Sequence, residues 1–374
     1  MMKPFVHHID KELLGLKMLR LITGAVFVFS GAVKLIDPMG TVIKLGDYFA
    51  PDVLNLAFLM PYREYLAFAL IITELWVGLA ILLRYRPRIT FVVSLLLTGF
   101  FLFLTAYTLY TGKVTDCGCF GDAVKLTPMQ TFIKNIILMG ALLVLYRFYG
   151  NAPDPRPMPK AMILALSSIV FLAFGIWTRH HLPLIDFRPY AVGKNIRKGM
   201  EIPPDAPRFK FRDIWYYRIN GKVRKFTSEE APWDIPGAEF VRRESQVVQR
   251  GYVPPIHDFS IENDSIEITD SILDADDIYL ILIPYPGKLD ARDTLRLGEV
   301  LKRLKRNGRP YVIVSADKGR LLDQWIWNNK QELYFMDPTA LKTAIRTRVG
   351  IMHLKNANII SKETLKDFLD NRKI

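Results

Sequence analysis

The sequence predicts a multi-domain membrane protein: an N-terminal α-helical transmembrane four-helix bundle, a fifth spanning helix, and a C-terminal α/β soluble domain. Three observations predict it. Long apolar runs dominate the chain up to about Leu182, loops rich in Lys and Arg alternate with loops poor in them, and short strands alternate with helices in the second half.

Five stretches, 18–36, 66–83, 89–110, 131–146 and 161–177, approach the roughly 20 apolar residues needed to cross a bilayer. Basic residues precede the first, as in an export signal, but no small-residue cleavage site closes it. A retained helix is therefore expected. The segment from Asn151 to Pro159 carries too many prolines to be helical, so it divides a four-helix unit from a fifth helix that tethers the soluble part.

Orientation follows from the short loops. Lys3, Lys11, Lys17 and Arg20 precede the first span, Arg84, Arg86 and Arg88 fill the second-to-third turn, and Arg147, Arg156 and Lys160 lie before the fifth span. These loops are expected in the cytoplasm. The opposite loops carry only Lys44 and Arg63, then Lys113 and Lys125, so with five spans the C-terminal domain emerges on the far side, in the periplasm of a bacterial inner membrane. The formal charge of +13 comes with no nucleic-acid motif; anionic lipid, an acidic partner and a solvated surface account for it equally well.

Beyond the tether, Asn220-Gly221 separates two strand-like runs, a two-residue hairpin signal. Residues 279–284 read as a buried strand, 290–306 as an amphipathic helix, 311–315 as a strand and 320–329 as a helix. A closing hairpin at 350–354 and 358–360 and a helix at 363–370 follow.

The two cysteines, Cys117 and Cys119, flank Gly118 in the loop between the third and fourth spans. Cysteines so close can bond only if the chain bends between them, and glycine permits the bend. Such a small ring is strained and easily reduced, which suits an exchanging pair. A static bridge would stabilise little, because closing so short a loop removes little chain entropy. Two thiolates without a flanking His make a poor metal site.

Glu74 lies well inside the second span, where a carboxyl is costly and points to function: burial favours its neutral form, and it is placed to carry protons beside a thiol or a quinone. A helix-to-helix hydrogen bond is the plainer alternative. Lys34 lies closer to the outer surface and can snorkel towards Asp37; an ion pair with Glu74 is the alternative, although their apparent depths differ. His7-His8 and His180-His181 fall on opposite sides of the membrane and form no common site.

Residues 15–148 resemble the DoxX/MauE superfamily of redox-associated four-helix membrane proteins. The resemblance rests on Arg20-Leu-Ile-Thr-Gly24, Gly31-Ala-Val-Lys34-Leu-Ile-Asp37-Pro38, Glu74-Leu-Trp-Val-Gly78 and Cys117-Gly-Cys119-Phe-Gly121. It implies the bundle fold, and members serve different processes, including disulfide handling for a periplasmic dehydrogenase and quinone-linked thiosulfate oxidation. Residues 255–270, followed by a buried strand, resemble the opening of thioredoxin-like domains of the thiol-peroxidase type. Where those place Cys-x-x-Cys, this chain has Ile283-Pro-Tyr-Pro-Gly-Lys288, and residues at about Ile351-Met352 replace the usual cis-proline. The resemblance therefore implies a docking module rather than a dithiol enzyme.

The expected division is a bundle at 1–150, linker and fifth helix at 151–182, a β-rich connecting region at 183–253 and a degenerate thioredoxin-like domain at 254–374. Two functions fit. In one, a membrane oxidoreductase exchanges thiol/disulfide electrons with an exported partner through Cys117, Cys119 and Glu74, with a quinone as the candidate cofactor. In the other, a non-enzymatic scaffold uses the cysteine-free domain to hold partners.

Overall fold

The computed structural model describes residues 14–114, 118–154, 156–249, 251–317, 319–329 and 331–371. Five helices are long and apolar enough to cross a membrane, in the five places expected: α1 (Leu14–Ile36), α3 (Arg63–Leu83, which a 3-10 turn at Ala57–Tyr62 extends), α4 (Pro87–Thr111), α5 (Pro128–Tyr149) and α6 (Pro157–Thr178). Prolines at the first helical position start α4, α5 and α6, where the missing N–H costs nothing. Thr127 and Gln130 form a capping box on α5, and Gly112 closes α4 in the left-handed region at φ +64°.

One helix was not expected. Asp37-Pro38 ends α1, because proline cannot continue a helix, and Asp37 then caps a short helix α2 (Pro38–Phe49). Val42, Leu45, Tyr48 and Phe49 of α2 are buried with Leu104 and Val114, so α2 lies across the end of the bundle as a cover.

Helices α1 and α3 pack closely because each presents glycine to the other. A Cβ on Gly78 would stand 2.7 Å from the backbone nitrogen of Val28, and one on Gly31 or Gly24 would stand 2.7 Å from the side chain of Leu75 or Leu82. Small residues let helix backbones approach where lipid supplies no hydrophobic drive. The last span does more than tether: Phe171 and Phe174 of α6 pack against Leu35, Ile71 and Leu75.

After α6 come a short helix α7 (Ile196–Met200) and strands β1 (Lys210–Ile219), β2 (Lys222–Thr227) and β3 (Glu239–Gln249), a three-stranded antiparallel sheet in the order β2-β1-β3. Asn220 and Gly221 both have positive φ, as a type I′ turn requires. This sheet is largely open to solvent and exposes Phe211, Phe240, Val247 and Val248. Then follow α8 (Thr269–Leu273), β4 (Ile278–Ile283), α9 (Ala291–Arg306), β5 (Tyr311–Ser315), α10 (Arg320–Asn329), β6 (Leu333–Phe335), α11 (Pro338–Ala344), β7 (Gly350–Lys355), β8 (Asn358–Thr364) and α12 (Leu365–Asp370).

The second sheet runs β6-β5-β4-β7-β8, with β4, β5 and β6 parallel and β7 and β8 antiparallel. Every residue of its central strand β4 is buried, which is why that strand reads as continuously apolar. The exit from the membrane is locked to this domain: Asp186 accepts from Arg188 and from Lys362 at 2.7 Å each, and Arg188 also donates to the carbonyl of Thr343. Burial, reinforced by Arg188, pushes the Lys362 ammonium down to about 8 despite Asp186.

The glycine packing yields a matched test. Gly78→Ala should lower the thermal unfolding midpoint of the purified protein, since overpacking costs roughly 1–3 kcal/mol. Gly140→Ala on α5, where a Cβ meets nothing within 4 Å, should leave it unchanged or raise it slightly.

Candidate functional site

The cysteine loop is held at five successive residues. Gly118 adopts φ +58° and its carbonyl accepts from the N–H of Gly121 at 3.0 Å, a tight turn that a residue with Cβ would enter only under strain. The carbonyl of buried Cys119 lies 2.6 Å from the hydroxyl of Ser30 on α1. The Phe120 ring sits 5.6 Å from that of Phe29, with the Lys134 ammonium 4.5 Å above it. Gly121 faces Val33 so closely that a Cβ would come within 3.1 Å, and the Asp122 carboxylate accepts from Arg346 at 2.9 Å. Cys117 lies outside the described residues, and so does the bond expected between Cys117 and Cys119; Cys119 is a free cysteine.

Beneath the loop lies an ion pair. The Lys34 ammonium stands 2.8 Å and 2.7 Å from the two Glu74 oxygens, and both side chains are only 3 % exposed. Lys34 also donates to Ser30 at 3.2 Å and sits 4.8 Å over the ring of Phe101. Ser30 is thus shared: its oxygen accepts from Lys34, and its single proton can go either to the Cys119 carbonyl or to Glu74, 3.1 Å away.

This arrangement corrects two expectations. Lys34 turns to Glu74 rather than snorkelling towards Asp37, and the Glu74 carboxyl is not alone in the bundle. Counting residues from the helix ends misjudged the depths because α3 starts further out than α1 stops. Gly31 lies level with Leu75, so at 1.5 Å per residue α3 runs on roughly 10 Å past the end of α1, under the α2 cover. Lys34 and Glu74 then meet, one side chain away from the cysteine loop.

Asp37 is taken instead by Arg346, which precedes β7 in the C-terminal domain. Its guanidinium spans Asp37 at 3.1 Å and Asp122 at 2.9 Å. Burial alone would weaken the guanidinium's hold on its proton, but the two carboxylates outweigh it. One side chain of the C-terminal domain therefore ties the end of α1 to the cysteine loop, beside a cavity of about 490 Å³ that Cys119, His257 and Lys342 help to line. Of the histidines, His181 stacks on Trp177 and pairs with Asp367 at 2.9 Å, while His7 and His8 lie outside the described residues. Sequence reasoning missed Ser30 and Arg346, which carry no motif of their own.

The described helices and this site define a membrane protein with a MauE-like bundle. Residues 12–148 match the family model for the methylamine utilisation protein MauE, and the glycines, Lys34, Glu74 and the cysteine loop all fall within the match. Protein TlpB of Flavobacterium psychrophilum is 24% identical over 163 residues, covering 41% of this chain and 42% of that protein. The chain thus spans less than half the length of the curated relative it matches. No solved structure matches it.

The ion pair makes a sharp prediction. Glu74→Gln or Lys34→Met alone leaves a buried charge without its partner and should destabilise by about 3–5 kcal/mol. Lys34→Met with Glu74→Met should recover most of that loss in thermal unfolding. Additive losses would show that the two side chains do not interact.

Proposed function

We propose that this is a redox-associated protein of the bacterial inner membrane whose Cys117 and Cys119 exchange thiol and disulfide with an exported partner. The observation that carries the reading is the Ser30 link between the cysteine loop and the buried Lys34–Glu74 pair, within the region that resembles MauE. Cys119 is free in the structure; in the oxidised form, with Cys117 and Cys119 bonded, a partner thiolate attacks one sulfur of the disulfide and expels the other as a thiolate. A second partner thiol, deprotonated, resolves the mixed disulfide, so two electrons pass to the pair and the partner leaves oxidised. Glu74 and Lys34 would supply the protons that the thiolates take up, and Ser30 couples them to the loop at the Cys119 backbone carbonyl.

Reoxidation calls for a two-electron acceptor, and a membrane quinone, which takes up two electrons and two protons when bound, is the class that fits. Asn135 on α5 would hold its oxygen: the Asn135 Nδ2 is buried with no hydrogen-bond partner among the described residues. The broader likeness to DoxX-type bundles belongs to this reading.

The N-terminus is proposed to be cytoplasmic and the C-terminal domain periplasmic, with the division into 1–150, 151–182, 183–253 and 254–374 as above. We assign 254–374 a thioredoxin-like fold; the order β6-β5-β4-β7-β8, with a helix after the buried strand β4, supports it. The segment that would carry cysteines, Pro284-Tyr285-Pro286, is turned to the bundle, where Tyr285 shares a cavity with Met39 and Arg63. The domain serves as a clamp on the cysteine loop rather than as a thiol enzyme. A scaffold is the second reading, favoured by the exposed apolar residues of the β2-β1-β3 sheet, which suit a docked partner.

Thiol trapping in intact cells with a membrane-impermeant maleimide tests the reading. A fraction of the pair should be found reduced and should react from outside the cytoplasmic membrane. Glu74→Gln should slow reoxidation after a reductant pulse. A pair that stays wholly oxidised and resists reductant, or a Cys117→Ser/Cys119→Ser variant with full function in cells, would leave the scaffold reading in place.

A further inference from the structure

A second cavity, of about 850 Å³, opens between the outer end of the bundle and the C-terminal domain, away from the cysteine loop. Its wall carries seven lysine and arginine side chains against two carboxylates. The acids are already used: Glu64 accepts from Arg179 at 2.8 Å and Asp293 from Arg348 at 2.9 Å. Arg346 is satisfied by Asp37 and Asp122. Arg63, Lys288, Arg296 and Lys366 are left facing one space with no carboxylate partner among the described residues.

Four unneutralised cations around one cavity repel one another. Burial above all, with Arg63 adding to it and Glu64 opposing it, pushes the Lys288 ammonium below the ordinary lysine range. An anion seated between them would relieve that repulsion.

Position narrows the choice of anion. Arg63 opens the span α3 and Arg179 caps the end of α6, so the cavity stands at the level where helices leave the hydrocarbon. Phe58, Tyr62 and Tyr65 beside it are exposed, as aromatic side chains are at the membrane interface. The anions present at that level are phospholipid headgroups.

We propose that this cavity binds a phosphate-bearing anion, and that its occupant is the headgroup of an anionic phospholipid of the outer-facing leaflet. Lys288 and Arg296 come from the soluble domain and Arg63 from the bundle, so the bound phosphate bridges the two and braces the domain on the membrane.

The test uses the full chain in detergent and follows thermal unfolding with added phosphatidylglycerol, phosphatidylcholine or inorganic phosphate. Phosphatidylglycerol should raise the midpoint by several degrees more than phosphatidylcholine, and the difference should shrink in high salt. Lys288→Gln/Arg296→Gln should lose at least half of that difference, whereas the charge-matched Lys222→Gln/Arg224→Gln on the remote strand β2 should keep it. Lys366→Gln, an exposed single change, gives the same readout should the double variant fail to fold. Equal stabilisation by the two lipids, or a preference undiminished by the cavity variants, would overturn the proposal. Stabilisation by inorganic phosphate alone would overturn the lipid assignment.

Discussion

A lysine and a glutamate placed side by side among apolar helices impose a condition on everything around them. Each alone would be costly to bury, and together they are tolerable only if they touch and their remaining hydrogen-bonding atoms are satisfied. Here Lys34 reaches both Glu74 oxygens and Ser30 accepts the spare ammonium proton. The contact demands that α1 and α3 run very close, and Gly24, Gly31 and Gly78 supply that closeness. The glycines and the charges are thus one feature of the sequence, since neither would be stable without the other.

From that pair the structure extends outward in single contacts. Ser30 ties it to the cysteine loop, the loop's Asp122 is tied to Arg346, and Arg346 is fixed ahead of strand β7. The C-terminal domain therefore bears on the loop, and a change of loop conformation would be felt at Asp122 and Arg346. The same domain presents Tyr285 and Lys288 to the bundle, in the cavity that Met39 and Arg63 also line.

How much of this was legible in the sequence varied with the physics behind each element. Spans were legible because lipid demands long apolar runs, and the turn at Asn220-Gly221 because few residues accept two positive φ values. The all-apolar strand β4 and the capped helix α9 were legible for similar local reasons. Helix α2 was hidden because a 12-residue amphipathic cover fails the length criterion for a span. The edge strand β6 has only three residues, too few for a pattern. At the site, the cysteines and Glu74 announced themselves by rarity and cost. The pairing of Lys34 with Glu74 was legible only as an alternative, because it depends on an offset between the two helices that neither sequence shows. Arg346, 309 residues from Asp37 in sequence, was one arginine among many.

The central claim is that the buried ion pair and the cysteine loop act as one unit through Ser30. Its most direct test is the reduction midpoint of the cysteine pair in the purified full-length protein, read by thiol trapping in thiol/disulfide buffers of graded potential, for the wild type and Ser30→Ala. Coupling predicts a clear shift of the midpoint in Ser30→Ala, and a smaller further effect when Glu74→Gln is added to it than Glu74→Gln has in the wild type. A midpoint that Ser30→Ala leaves unchanged would contradict the account.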